Sequence, residues 1–121
     1  MGRTILIVED YEDARLFMKI LLESYGYEVI EAANGAEALE WLETRAPDLV
    51  LMDISMPVMD GITATKTIRK SETGDHLPII AVTAHGRELH KYALDAGCDY
   101  LIEKPIDFDE FKMVIHLYLD D

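Results

Sequence analysis

Apolar residues in this chain keep two rhythms that take turns. The first is a short unbroken run: Thr4-Ile5-Leu6-Ile7-Val8-Glu9, Leu49-Val50-Leu51-Met52 ahead of Asp53, and Pro78-Ile79-Ile80-Ala81-Val82-Thr83, with two further short strands expected over residues 28–32 and 99–103. Runs of this length, rich in β-branched residues and bounded by turn formers, predict strands buried on both faces. The second rhythm is helical. Residues 13–25 place Leu16, Phe17, Ile20, Leu21 and Tyr25 at helical spacing, with Asp13 as the expected cap and Gly26 as the stop. Asn34-Gly35-Ala36-Glu37 is a capping pair ahead of a stripe of Ala38, Leu39 and Leu42, with Trp41 off the stripe and partly buried.

A third helix is expected over residues 61–71, then an exposed loop over 71–76. A fourth spans 87–96, with Leu89, Tyr92, Ala93 and Ala96 facing inward and Gly97 ending it. Asp107 and Glu110 form a capping pair for a last helix through Leu119. Phe108, Phe111, Ile115 and Tyr118 are its expected core stripe, which Met113, Val114, Leu117 and Leu119 widen, either into the core or toward a partner.

Five strands alternating with five helices predict a parallel sheet covered on both faces through right-handed crossovers, a single-domain α/β sandwich. The 121 residues suffice for one core and not two. No apolar run approaches the roughly 20 residues of a membrane span, and no secretory leader precedes the first strand, so the expected setting is cytoplasmic. The net charge of −13 argues against direct binding to nucleic acid or an anionic membrane, and suits a divalent cation and basic protein partners. The single cysteine, Cys98, reads as a small core residue. His76, His90 and His116 have no metal-ligand spacing and read as surface residues.

The chemistry gathers at the strand ends. A parallel sheet brings all strand carboxyl ends to one edge, where open α/β sheets keep their sites. Here that edge collects Glu9 and Asp10 after the first strand, Asp53 after the third, Thr83 after the fourth and Lys104 after the fifth. Carboxylates about 4 Å apart repel by about 1 kcal/mol per pair in water, and by about 4 kcal/mol at an effective dielectric of 20. Lys104 supplies one compensating charge, and magnesium, which takes oxygen ligands and keeps waters and a phosphate beside one or two carboxylates, would supply two. Cation and lysine together suit a transferring phosphoryl group, and a carboxylate can be its nucleophile. Asp53 is the candidate nucleophile; Glu9 and Asp10 are the candidate metal ligands.

In order and spacing, Leu6-Ile7-Val8-Glu9-Asp10, Asp48-Leu49-Val50-Leu51-Met52-Asp53, Met56-Pro57-Val58-Met59-Asp60-Gly61, Pro78-Ile79-Ile80-Ala81-Val82-Thr83-Ala84, Ala96-Gly97 and Lys104-Pro105 closely resemble the receiver domain of two-component response regulators. The resemblance covers nearly the whole chain. It implies one receiver domain over residues 1–121, with a CheY-like, flavodoxin-like doubly wound (βα)5 sandwich whose sheet order is 2-1-3-4-5. It implies a phosphorylation-dependent signalling switch rather than an enzyme, one that assists its own phosphotransfer and slow autodephosphorylation only. Asp53 would accept the phosphoryl group from a phosphohistidine of a sensor histidine kinase or a histidine phosphotransfer protein. Glu9, Asp10 and Asp53 would bind magnesium with the backbone carbonyl of Ser55, and Thr83 and Lys104 would contact the phosphoryl group.

The Lys104-Pro105 bond is typically cis in such domains. Output and dimerisation would use the face of the fourth helix, fifth strand and fifth helix, on a monomer or weak dimer. Two hydrogen bonds to a charged group, at about 1.5–3 kcal/mol each, could supply most of the roughly 5.5 kcal/mol that carries a two-state equilibrium from 1:99 to 99:1. One departure is evident. The aromatic switch residue usually lies three positions before the lysine, where this chain has Leu101, and Tyr100 should face the other side of the sheet. His85, two residues after Thr83, sits where the family tunes the phosphoryl lifetime.

Other classes fare less well. An aspartate-nucleophile phosphatase of the haloacid dehalogenase type would want a second Asp at position 55, which is Ser55. No Gly-x-x-x-x-Gly-Lys segment supports a P-loop enzyme. The rival is a phosphorylation-independent, receiver-like interaction module, which differs in needing no phosphoryl uptake at Asp53.

Overall fold

Along each apolar run, alternate side chains serve opposite layers. Ile5 and Ile7 pack with Leu49, Leu51, Ile80, Val82 and Ile102, while Leu6 and Val8 pack with Val50, Met52, Ile79 and Ala81. A strand apolar on both rows has to be covered on both faces, and the helices do this. The computed structural model describes residues 2–54, 60–71, 74 and 76–119. Its elements are β1 (Thr4–Val8), α1 (Glu12–Ser24), β2 (Glu28–Ala32), α2 (Gly35–Thr44), β3 (Leu49–Asp53), α3 (Gly61–Lys70), β4 (Ile79–Thr83), α4 (Gly86–Ala96), β5 (Tyr100–Glu103) and α5 (Phe108–Leu119). All pairings are parallel and the sheet order is β2-β1-β3-β4-β5, the expected doubly wound arrangement. Helices α1 and α5 cover one face; α2, α3 and α4 cover the other. No helix among the described residues is long and apolar enough to cross a membrane.

The capping signals hold at two of three places. Asn34 accepts from the Glu37 N–H while Glu37 accepts from Ala33 N–H, a reciprocal cap, and Asp107 accepts from Glu110 N–H. Asp13 does not cap α1. Tyr11 holds the N-cap position without a side-chain bond, and Glu12 and Asp13 lie in the first turn, where the helix dipole favours negative charge. Gly97 ends α4 with φ +117°, a left-handed conformation in which a Cβ would also strike the Arg69 side chain.

The phase of two helices differs from expectation. In α1 the inward residues are Met18 and Leu22, with Leu21 and Tyr25 beside them, whereas Leu16, Phe17 and Ile20 are exposed. In α5, Phe111, Val114, Ile115 and Leu119 are buried, Tyr118 packs at the edge, and Phe108, Met113 and Leu117 are exposed. Both helices are apolar around most of their circumference, so periodicity alone leaves the phase open. Tyr92, expected to face inward on α4, is exposed as well. Gly74, within the expected exposed loop, is buried, and His116 is half-buried against the Tyr27 ring. His76 and His90 are exposed, and Trp41 is half-buried as expected, its Nε1 donating to the Glu31 carbonyl 2.8 Å away.

Cys98 is buried as expected, 3.7 Å from the Thr65 hydroxyl. Burial pushes its thiol above the ordinary value of 9.0, against the opposing influence of Thr65 and Arg69. The thiolate, the reactive form, is therefore scarce at neutral pH and sealed from solvent. We expect labelling by a thiol reagent at pH 8 to be at least about 100-fold slower in native buffer than in denaturant, where both barriers vanish. Comparable rates in a time course would contradict this placement.

Candidate functional site

The alternation that builds the two cores also aims the polar groups. Glu9 continues the row of Ile5 and Ile7, Asp53 the row of Leu49 and Leu51, and Lys104 the row of Ile102, so all three share the α1/α5 side at the carboxyl edge of the sheet. Asp10 follows Glu9 directly on the turn into α1. One carboxylate oxygen from each of Glu9, Asp10 and Asp53 can be chosen so that all lie within 4.8 Å of one another. The cluster grades from inside to outside: Glu9 is fully buried, Asp53 nearly so at 6% exposure, and Asp10 exposed.

A fully buried carboxylate needs a counter-charge, and Glu9 has one. The Lys104 ammonium donates to its Oε1 at 2.6 Å, and the Tyr11 N–H reaches its Oε2 at 3.2 Å. Burial pushes the Glu9 carboxyl up, but Lys104, a hydrogen bond with Asp53 and the Tyr11 N–H together outweigh it and leave the group below its ordinary 4.5. The Lys104-Pro105 bond is cis, as the resemblance implied.

Thr83 continues the other row, that of Ile79 and Ala81, and is fully buried. Its carbonyl accepts from the Lys104 N–H at 2.9 Å, tying the ends of β4 and β5 together. Its hydroxyl accepts from the His85 N–H at 3.0 Å. The His85 side chain itself is exposed at the N-cap of α4 and caps nothing. Leu101 packs with the α2–α4 core and Tyr100 with the α1/α5 core, so the two do face opposite sides of the sheet. The Tyr100 hydroxyl donates to Glu110 on α5 at 3.3 Å. Ser55 lies outside the described residues.

The donor set fits a hard divalent cation. Three carboxylate oxygens from two adjacent strand ends supply negative charge without closing a cage, which leaves coordination positions for water and a phosphate oxygen. Gly61, at the start of α3, passes so close to β3 that a Cβ would lie 2.3 Å from the Asp53 carbonyl oxygen, an approach that only glycine permits.

One contact at the site escaped the sequence reading. Arg15, one turn into α1, donates from Nη1 to the Glu9 carbonyl at 2.8 Å and from Nε to Glu31 at 3.3 Å. A cation placed just after an acid pair is a weak signal, but it was the available one. Beside the acids, Ala14, Phe17, Met18, Lys104, Ile106 and Phe108 line an apolar cavity of about 300 Å³.

Comparison with known proteins agrees with this geometry. Residues 5–116 match the family model described as the response regulator receiver domain. The chain is 38% identical over its whole length to the polar-differentiation response regulator DivK of Brucella anthropi, covering 99% of that protein. Its structure is similar to the receiver domain of a sensor histidine kinase from Pseudomonas aeruginosa with magnesium coordinated in the active-site cleft, at TM-score 0.93 and 34% identity over all of both chains. It is also similar to the response regulator TrrA of Thermotoga maritima in complex with magnesium and BeF, at TM-score 0.88 and 33% identity, covering 97% of this chain and 99% of that one.

Proposed function

The chain belongs to the response regulator receiver domain family, and from that premise we propose that residues 1–121 are one receiver domain acting as a phosphorylation-dependent signalling switch with Asp53 as phosphoacceptor. The observation that carries this reading is the convergence of the Glu9, Asp10 and Asp53 oxygens within 4.8 Å, beside Lys104. Glu9, Asp10 and Asp53, with the Ser55 carbonyl, would hold magnesium, which would neutralise charge on the phosphoryl oxygens when bound.

In the proposed step an Asp53 carboxylate oxygen attacks phosphorus in line with the leaving nitrogen of a phosphohistidine. The P–N bond breaks, the electron pair stays on the imidazole, which takes up a proton, and an acyl phosphate remains on Asp53. Lys104 exchanges part of its contact with Glu9 for a phosphoryl oxygen, and Thr83 donates to another. The donor would be a sensor histidine kinase or a histidine phosphotransfer protein. Exposed Phe17 and Phe108, in ring contact with each other and lining the cavity beside Lys104, offer it an apolar seat.

The resting bond of Thr83 sets the size of the switch. Turning to the phosphoryl group surrenders a neutral bond from His85 N–H, about 0.5–1.5 kcal/mol, for a charged one of about 1.5–3 kcal/mol. The net of about 1–2 kcal/mol shifts a two-state equilibrium roughly 5- to 30-fold. Thr83 alone therefore biases the β4–α4 turn without completing a 1:99 to 99:1 reversal. With Leu101 in place of an aromatic and Tyr100 facing α5, the remainder would pass through Lys104 and α4. Output would use the α4–β5–α5 face, in a cytoplasmic protein with no catalytic turnover beyond its own phosphotransfer and slow autodephosphorylation.

Incubation with acetyl phosphate and magnesium tests the reading. Intact-mass spectrometry should register one phosphoryl group, labile to hydroxylamine, dependent on magnesium and absent from Asp53→Asn. No uptake by the parent protein, from acetyl phosphate or from a phosphorylated histidine donor, would favour an interaction module that works without phosphorylation.

A further inference from the structure

We propose that Arg15 is a positioning residue for the divalent cation, fixing the peptide plane between Glu9 and Asp10. The proposal rests on the receiver reading of the site and deepens it. The chain must leave β1 and enter α1 within three residues, Glu9, Asp10 and Tyr11, and two of these carry the acids. No side-chain cap from Tyr11 holds the start of the helix. The turn is held instead at Glu9. Its N–H donates to the Ala32 carbonyl at 3.1 Å, one step beyond the β1–β2 ladder, and its carbonyl accepts from Arg15 Nη1 at 2.8 Å. A buried carbonyl requires some such partner.

That carbonyl belongs to the planar peptide unit that continues into Asp10. Fixing its oxygen fixes the direction in which Asp10 leaves, and hence where the exposed carboxylate stands relative to the buried one. The other edge of the guanidinium donates from Nε to Glu31 Oε1 at 3.3 Å, and Lys19 Nζ lies 3.5 Å from Glu31 Oε2. The Glu31 carbonyl in turn accepts from Trp41 Nε1. Arg15 thus braces the acidic turn across to β2 and α2. Its rigid planar fork suits two acceptors set apart in space, which a lysine ammonium would serve less well.

Charge and position predict opposite outcomes. Removing a cation near three carboxylates, with nothing else changed, tightens binding of a divalent ion. Releasing the peptide plane between two of its ligands weakens it. Loss of an outer partner that orients a metal ligand typically costs about 10- to 100-fold in affinity, and we expect the positional effect to win.

Manganese titration followed by electron paramagnetic resonance reads binding directly, without phosphorylation. Arg15→Met, and the double variant Arg15→Met/Glu31→Gln that leaves no stranded carboxylate, should each bind manganese about 10- to 100-fold more weakly than the parent. Arg15→Lys should lose at least about threefold, because it cannot serve both acceptors. Lys19→Met, which removes a cation from the same Glu31 but leaves the Glu9 carbonyl held, should bind like the parent. Parent-like or tighter binding by a folded Arg15→Met or by the double variant overturns the proposal. Should circular dichroism find both unfolded, Arg15→Lys decides, and parent affinity there overturns it. A parent that binds no manganese and takes up no phosphoryl group removes the receiver reading itself, whereas one that does both beside an equally tight Arg15→Met removes only the role of Arg15.

Discussion

Lys104→Met should lower the stability of the metal-free protein by about 2–4 kcal/mol at neutral pH, and magnesium should restore much of that loss. Breaking a buried pair by removing one partner costs roughly 3–5 kcal/mol because the other charge is left unpaired. Glu9 is fully buried, but the Lys104 side chain is 29% exposed, so some water can replace the ammonium and the expected loss sits about 1 kcal/mol below that range. Without Lys104, burial, the largest single influence on the Glu9 carboxyl, is opposed only by the hydrogen bond with Asp53 and the Tyr11 N–H, so its charged form is less well supported.

The pH dependence has a definite sign. In the parent, the folded-state value of Glu9 lies below 4.5, so its contribution to stability is present above about pH 4.5 and fades as pH falls through the depressed folded value. The stability curves of parent and variant should therefore converge in acid. Magnesium acts in the opposite direction. With the competing ammonium gone the three oxygens bind the cation more tightly, and a concentration 100 times the dissociation constant stabilises by about 2.7 kcal/mol. Urea denaturation across pH, with and without saturating magnesium, checks each part. A variant as stable as the parent without magnesium would show that Lys104 does not balance the acidic cluster.

The strands β1, β3 and β4 were legible in the sequence because each is apolar on both rows and runs into a polar residue, and the common parity of β1 and β3 assembles the site: Ile5, Ile7 and Glu9 point one way, as do Leu49, Leu51 and Asp53. The Asn34–Glu37 and Asp107–Glu110 caps were legible because both partners lie within one turn. The facing of α1 was not. Leu16, Phe17, Met18, Ile20, Leu21 and Leu22 surround the helix, and only packing against β1 and β3 selects Met18 and Leu22. The grading of the acids was also hidden, since nothing local distinguishes Glu9, sealed beneath Lys104, from the exposed Asp10. Long cationic side chains were hardest to place. Arg15 and Arg69 bind backbone carbonyls that carry no sequence identity.

Arg69→Met should cost about 2–4 kcal/mol of stability while leaving manganese binding and phosphoryl uptake at parent levels. The guanidinium serves four acceptors: Nε reaches the Gly97 carbonyl at 3.0 Å, Nη1 the carbonyls of Gly74 and Leu77 at 2.6 Å each, and Nη2 the Asp99 carboxylate at 3.0 Å. It joins the end of α3, the segment leading to β4, the end of α4 and the start of β5. Asp99 also accepts from the Ile79 N–H at 2.9 Å, so the clamp holds β4 and β5 in register where they begin. Bonds to a charged donor contribute about 1.5–3 kcal/mol each when buried. The Arg69 side chain is 18% exposed, and water can reach some of the freed acceptors, so the expected loss is well below four times that figure.

Arg69→Lys should recover less than half of the loss, since three tetrahedral donors cannot reproduce a planar fork serving four acceptors. Function should be spared because the clamp grips the amino ends of strands whose carboxyl ends, about 17 Å away for five residues, carry the acids. Urea denaturation measures the cost, and hydrogen exchange locates it: the Ile79 and Cys98 amides should lose protection ahead of the amide of Glu9, whose bond to Ala32 lies across the sheet. A change within about 0.5 kcal/mol, the ordinary range for surface substitutions, would mean that water replaces the guanidinium at all four acceptors. Loss of manganese binding in a folded variant would instead mean that the two ends of the sheet are coupled.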